Sequence, residues 1–501
     1  MIKNVVIVGG GIAGWYTAHL FLRKINPNIT VTLVSTDQIP VIGVGEGTTG
    51  TFNQILHSNT TGLIHGERPS DFLKETESTF KLGVKHTDWY NIGHHFYSPI
   101  GGEDSNRVSP YPHLDYDSFR IFHIAEQLPF NKTLESRLMS TNRLHLLMGQ
   151  NHYDKKVAFH LDTKKVGEYL KKNALLNKNC KHIEGKIKSF VQDENGLVTS
   201  LVLDDGRIVE GDLYVDCSGF SRVLIDKIVN NPWVSYNDNL LVDSAITFTE
   251  KHEGEIKNYT EAKALKYGWS WKIPTQTRVG CGYVFSSKFI DENKAEEELG
   301  SVDIQKHIKF NSGRLEKQWC KNVIATGLAG GFLEPLEATS IHATIIQIYY
   351  WLDNYYKPEL NFNVDLFQEQ YNDTMSRMWD DLRDFIVFHY ITPRNDTDFW
   401  IESSDKKRWS PRLSNLLEMW KYRMPRVVDF ITNDVYYTGN TLWYQIAMGM
   451  NILDSTLAKD ELKEYNLYEE LKQFYNISCS EVERSLYNYP KTCEYYNNIT
   501  K

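Results

Sequence analysis

This 501-residue sequence predicts an α/β fold built on a doubly wound parallel sheet, with a mainly helical region after it. Two observations carry that prediction. First, a strand, a glycine-rich turn, a helix and a second strand follow one another before Ser35. Second, a later apolar segment, Asp212 to Phe220 (DLYVDCSGF), again reads as a strand ending in a Ser-Gly turn. Parallel strands require a crossover, usually a helix, and doubly wound sheets bind ligands at the C-terminal ends of their strands.

Asn4 to Val8 (NVVIV) is a β-branched run bounded by glycine, the pattern of a short buried strand. Gly9-Gly10-Gly11-Ile12-Ala13-Gly14 then contains GxGxxG where a strand gives way to a helix. Glycines there permit a tight turn and let backbone N–H groups approach a pyrophosphate at the positive helix end, so Gly9, Gly11, Ile12, Ala13 and Gly14 are candidate dinucleotide contacts. Gly14 to Lys24 shows helical spacing through Trp15, Leu20 and Leu22, and Thr30 to Val34 reads as the second strand. An acidic ribose partner is expected at the end of that strand, but the position holds Ser35, with Asp37 two residues on. A serine can hydrogen-bond a ribose hydroxyl, without the strength of a carboxylate. Val44-Gly45-Glu46-Gly47-Thr48 is a second glycine-rich turn, which either contacts cofactor hydroxyls or reverses the chain. Val198 to Leu203, a turn at Asp204-Asp205-Gly206, Ile208-Val209 and Leu213 to Val215 continue the strand pattern, as does Val279 to Phe285. From Thr339 the chain turns helical and aromatic, and Asp380 to Tyr390 has the pattern of an amphipathic helix ended near Pro393. The change of character predicts a boundary near residue 345, with a cofactor domain over 1–345 and a helical region over 346–501.

Composition narrows the function classes. Hydrophobic residues make up 41% and charged residues 24%, which is globular. Lys plus Arg is 55 against 64 Asp plus Glu, a net charge of −9, so no basic excess is available for nucleic acid. Six scattered cysteines form no CxxC pair, which fits a reducing compartment. The apolar N-terminal stretch is short and interrupted by glycines, with no signal-peptide cleavage pattern, so a cytoplasmic protein with no membrane span is expected. His113, His160, His342 and His389 show no metal-ligand spacing, and no metal is expected. The 13% aromatic content, with 12 Trp and 29 Tyr, points to aromatic-lined cavities.

Three features converge on one family: the GxGxxG, the VGEGT turn and Trp269-Ser270-Trp271-Lys272-Ile273-Pro274. The last reads WxWxIP, and in this the chain resembles flavin-dependent halogenases of the tryptophan-halogenase type. The resemblance extends in order through Phe159-His160-Leu161-Asp162, the DCSGF ending at Phe220, Gly282 to Ser287, Gly330 to Glu337 (GGFLEPLE), Arg383 to Ile386 with His389-Tyr390, and Phe399-Trp400. The last hundred residues lack such anchors.

The resemblance implies an FAD-binding domain like that of glutathione reductase and the flavin hydroxylases, with substrate-side segments inserted at about 50–150. It implies that reduced FAD, oxygen and halide (chloride, bromide or iodide) give hypohalous acid, which passes to a separate pocket. There a lysine delivers the halogen to an electron-rich aromatic substrate. The family's lysine pattern matches Phe80-Lys81-Leu82-Gly83-Val84-Lys85, with Trp89 following, so Lys81 is the implied catalytic lysine and Lys85 a solvated neighbour. Glu337 matches the second catalytic residue, and a carboxylate there suits removal of the ring proton. Glu334 shares its face if the segment is helical and is assigned a structural role. Thr339 and Ser340 fall where the family's backbone N–H groups hold halide, with Ser340 replacing the usual glycine. Gly327 and Leu328 join Ser35, Val44, Gly45 and Glu46 as implied flavin contacts, and Trp269 and Trp271 as walls of the flavin site. Trp443, Tyr444 and Met448 either line an aromatic pocket or pack a helix.

No second nucleotide fingerprint is present, so a separate flavin reductase is the expected partner, and homo-oligomerisation is open. The competing readings are a flavin aromatic hydroxylase and a non-catalytic flavin-binding module. The hydroxylase is disfavoured because Asn322 to Thr326 runs into Gly327-Leu328 without that group's Gly-Asp pair.

Overall fold

The computed structural model describes residues 1–24, 28–38, 45–57, 69–100, 116–128, 132–145, 157–228, 230–430 and 438–499. Val44 and His113 lie outside them. The chain forms two compact units, each assembled from three segments: Met1–Ser78, Leu161–Tyr236 and Asn311–Trp379 in the first, and Thr79–His160, Asn237–Phe310 and Asp380–Lys501 in the second. Residue 345 falls inside the helix Thr339–Asn354 of the first unit.

The first unit is organised by a six-stranded sheet in the order Trp319–Cys320, Val323–Ala325, Leu213–Asp216, Asn4–Val8, Thr30–Ser35, Cys180–Glu184. Every neighbouring pair is parallel except the short Trp319–Cys320 edge hairpin. Val5, Val6, Ile7, Val323 and Ile324 are fully buried, as central strands covered on both faces must be. The crossover from the first strand to the second is the helix Ile12–Lys24, which begins two residues before the predicted start. It packs against the helices Thr163–Leu175 and Thr339–Asn354. Because Val34, Val8, Asp216 and Ala325 sit level across the sheet, the four loops that follow them leave from one edge. Ile187–Gln192, Val198–Leu203 and Ile208–Glu210 form a separate antiparallel meander, which holds the predicted strands at Val198–Leu203 and Ile208-Val209 with the turn between them. Its underside, Val198, Leu201, Leu203 and Val209, joins a buried cluster with Val6 and Tyr214.

The second unit holds a seven-stranded sheet, ordered Ile304–Lys309, Ser244–Glu250, Val279–Phe285, Gly268–Pro274, Thr260–Ala264, Gly83–Thr87, His95–Pro99. All neighbours are antiparallel except Thr260–Ala264 beside Gly83–Thr87. A short ladder pairs Thr79–Lys81 antiparallel with the strand beginning at Ala158, opposing Lys81 to Ala158 and Thr79 to His160. The predicted Asp380–Tyr390 stretch is the C-terminal part of a longer helix, Asp365–His389. Trp443 is a core residue: it is fully buried, donates through Nε1 to Thr438 and packs 4.8 Å from the Phe388 ring. Among the described residues no helix is long and apolar enough to cross a membrane.

Candidate active site

In the first unit the sequence builds a cradle at the shared strand edge. Gly9 adopts φ +115°, and a Cβ there would lie 2.3 Å from the Cys217 carbonyl oxygen. A Cβ on Gly14 would lie 1.9 Å from the Gly9 carbonyl oxygen, so both glycines are required by the protein's own packing. Gly11 is different, because among the described residues nothing lies within 4 Å of where its Cβ would be. Its missing side chain therefore leaves open space at the start of the Ile12–Lys24 helix, where N–H groups favour an anion. A flavin dinucleotide's pyrophosphate fits that opening.

The neighbouring loops are fixed from below. Asp216 is buried, and its carboxylate accepts from the Ser218 amide (3.0 Å), the Ser218 hydroxyl (2.6 Å) and the amides of Leu224 (2.9 Å) and Ile225 (3.0 Å). The acid of DCSGF thus holds its own turn. Thr326 donates its amide to the Asp216 carbonyl and its hydroxyl to Gln347. Gly327 follows with φ +64°, and a Cβ there would meet Ala13 Cβ at 3.0 Å, so this turn lies directly against the glycine-rich one. Leu328 is half-buried beside it. The Ser35 hydroxyl, aligned for a ribose by sequence, is 3.0 Å from His182 Nε2. Glu46 is half-buried, and the partial burial raises its carboxyl pKa to about 7.

Glu334 is fully buried ahead of a 3₁₀ turn, Pro335–Glu337, so the two acids are not on an α-helical face. Ala338 then takes the left-handed conformation (φ 54°, ψ 40°) and starts the helix Thr339–Asn354. An alanine in that position supplies no side-chain cap, so the first-turn amides keep their hydrogen-bonding capacity. Among the described residues the buried Thr339 hydroxyl has no hydrogen-bond partner. Ser340 lies within regular helix, so its backbone needs no glycine, and its carbonyl accepts from the Thr344 hydroxyl at 2.9 Å. One turn on, burial lowers His342 to a pKa of about 4, with Nδ1 3.0 Å from the Thr49 hydroxyl.

The second unit places Lys81 on its short ladder at 3% exposure. Lysines are almost never this buried without a specific reason. His160, opposite Thr79, explains part of the setting. The Thr79 hydroxyl donates to the Pro274 carbonyl, which can only accept, so His160 Nδ1 donates to Thr79 (3.1 Å). His160 Nε2 consequently accepts from the Thr260 hydroxyl at 2.9 Å. Both ring nitrogens are satisfied in the neutral form, and burial, then the Lys81 charge, hold its pKa well below the usual range. Lys85 is half-buried and pairs with Glu261 at 3.4 Å.

Trp269 and Trp271 lie two apart on the strand Gly268–Pro274, so both indoles leave the same face, with ring centroids 6.1 Å apart. A Cβ on Gly282, opposite Trp271, would lie 2.1 Å from the indole. The glycine is therefore the floor on which that ring rests. Trp89 donates to the Ala262 carbonyl (3.0 Å) and packs by its edge against Trp400 and Tyr390. The structure thus gathers Gly9 to Gly14, Ser35, Gly45, Glu46, Gly327, Leu328, Glu337, Thr339 and Ser340 in the first unit. Lys81, Trp269 and Trp271 belong to the second. Sequence reasoning missed His160's clamp role and Gly282, although the strand alternation of Val279 to Phe285 held the signal for the latter.

The family described as tryptophan halogenase matches residues 4–461. Tryptophan 6-halogenase SttH of Streptomyces toxytricini is 30% identical over 463 residues, covering 84% of this chain and 84% of its own. Tryptophan 7-halogenase RebH of Lentzea aerocolonigenes is 29% identical over 468 residues, covering 88% and 86%. The structure of a flavin-dependent halogenase from Xanthomonas campestris superposes with a TM-score of 0.86 at 28% identity, covering 100% of this chain and 98% of that one.

Proposed function

The chain belongs to the tryptophan halogenase family, and from that premise we propose that it halogenates an electron-rich aromatic compound, with Lys81 delivering the halogen. The observation that carries this reading is a lysine at 3% exposure where the family's lysine pattern falls. When bound, reduced FAD would supply the two electrons and two protons with which oxygen, halide and one further proton give hypohalous acid and water.

The Gly9–Gly14 turn, with Gly45, Glu46, Gly327 and Leu328, is the cradle offered to the flavin. Ser35 contributes a hydroxyl shared with His182. Amides of the uncapped first turn at Thr339 and Ser340 are the halide donors in this reading, because fixed N–H groups form a preorganised positive site. The Trp269 and Trp271 indoles exclude the organic substrate from the oxidant's source.

At the arene, the carbon–halogen bond forms as the oxygen–halogen bond breaks. The Lys81 ammonium donates a proton to the departing oxygen, which leaves as water. Glu337 then takes the ring proton, and transfer to solvent and back restores both groups. Neutral His160 adds no second cation beside Lys81 and no competing base, since both its nitrogens are engaged. The halogenase names of SttH and RebH support an indole-containing substrate class, and a separate reductase supplies reduced flavin in this reading.

The test supplies reduced FAD, oxygen and bromide with tryptophan, free indole and a phenol, and analyses products by mass spectrometry. A brominated arene is expected. Hydroxylated product alone would replace this reading with that of a hydroxylase.

A further inference from the structure

Among the described residues the ladder that carries Lys81 ends at an edge, since Thr79–Lys81 is the last strand of its sheet. Phe80 sits between Thr79 and Lys81, so its side chain leaves the opposite face. It packs against Phe159 (5.8 Å), Tyr495 (5.4 Å) and Tyr496 (6.4 Å). Its amide donates to the Tyr496 hydroxyl at 2.6 Å. A phenol from the helix Thr492–Ile499 therefore takes the place of the missing strand neighbour. That helix lies beyond residue 461, where the family match stops.

The helix is itself fixed within the unit. The Thr492 amide and hydroxyl both donate to the Asn142 carbonyl at 3.0 Å. Asn142 donates in turn to the Ile256 carbonyl at 2.9 Å, and Leu144 donates to the Pro490 carbonyl at 3.0 Å. Tyr496 is 4% exposed, and burial raises its pKa, so the phenol stays protonated and offers a neutral oxygen.

We propose that Tyr496 is a positioning residue for Lys81: by accepting the Phe80 amide hydrogen it fixes the strand from which the lysine projects. This rests on the reading of Lys81 as the delivering residue. A buried amide that loses its acceptor drives the strand to shift or open, and small misplacements of a delivering group reduce rate steeply. The effect falls on delivery and spares oxidant formation.

The experiment uses the full chain with FAD and compares the parent, Tyr496→Phe and, as a ring-packing control, Tyr495→Phe. Tyr496→Phe keeps the ring and removes the hydroxyl that accepts from the Phe80 amide and also bonds the Thr79 side chain. Its flavin consumption is expected to match the parent. Halogenated product per flavin consumed is expected to fall by about tenfold, with free hypohalous acid rising in a soluble trap. Lys81, followed by mass spectrometry during acetic anhydride labelling, is expected to be acetylated about tenfold faster. Tyr495→Phe is expected to behave as the parent.

Equal product per flavin, or a parallel fall in flavin consumption and product, would overturn the proposal. So would unchanged labelling of Lys81. Hydrogen exchange on the parent gives an arm independent of any variant's folding: a Phe80 amide exchanging at the rate of exposed amides also overturns it. If the parent halogenates no arene, the functional reading fails, while labelling and exchange still decide whether Tyr496 holds the strand.

Discussion

Burial removes the water that ordinarily stabilises an ammonium, so keeping Lys81 at 3% exposure carries a desolvation cost. Lys81→Met is expected to remain folded while losing halogenated product by at least about 10²-fold, with flavin reoxidation intact. A fluorescence melt and a product assay on one preparation check both halves. Retained product would remove Lys81 from the mechanism. Glu337→Gln keeps the shape and removes the proton acceptor, so its product rate is expected to fall by about 10²-fold with unchanged FAD binding by fluorescence titration. Both expectations start from the sequence, because the residues around each form a motif. The neutral clamp of His160 is not written in any motif, since its partners Thr79 and Thr260, and the Pro274 carbonyl that orients Thr79, lie on different strands and meet only through strand pairing.

The strand Gly268–Pro274 and its neighbour Val279–Phe285 are a matched pair, because the Trp271 indole covers the bare backbone of Gly282. Gly282→Ala places a methyl group 2.1 Å from that ring and forces it aside. Overpacking of this kind costs about 1–3 kcal/mol, so a lower urea midpoint is expected, together with a shift in indole fluorescence. A parent-like midpoint and spectrum would show that the ring moves freely. At the start of Thr339–Asn354, Ala338 holds a left-handed conformation disfavoured for a side chain by about 1–2 kcal/mol. Ala338→Gly is expected to raise the midpoint slightly, by less than that amount, because glycine also gains freedom when unfolded. The first βαβ segment was readable in advance because its glycines, β-branched strand and helix agree locally. The seven-stranded sheet was mostly hidden, since it joins strands from residues 83 to 309 whose order depends on long-range pairing.

Acid sensitivity belongs to the whole molecule. Burial lowers His19, His123 and His342 from 6.5 to about 4, so between those values the unfolded chain binds protons that the native chain refuses. Stability from these groups is present above pH 6.5 and lost as pH falls towards 4. Glu46 and Asp381, raised by burial to about 7 and about 6, act in the opposite sense over pH 4 to 7. His160, His94 and His182 are lowered as well, so the histidines dominate, and the urea midpoint is expected to fall from pH 7 to pH 5. A midpoint that rises on acidification would contradict this balance.

The interleaving of the two units also gives the molecule an order of manufacture. The residues of the flavin and halide sites are all synthesised by residue 340. The partner that closes the edge of the Lys81 strand is synthesised 416 residues after Phe80. A stalled or prematurely terminated chain therefore carries the glycine-rich cradle and the Thr339–Ser340 turn without the phenol that closes the edge of the Lys81 strand.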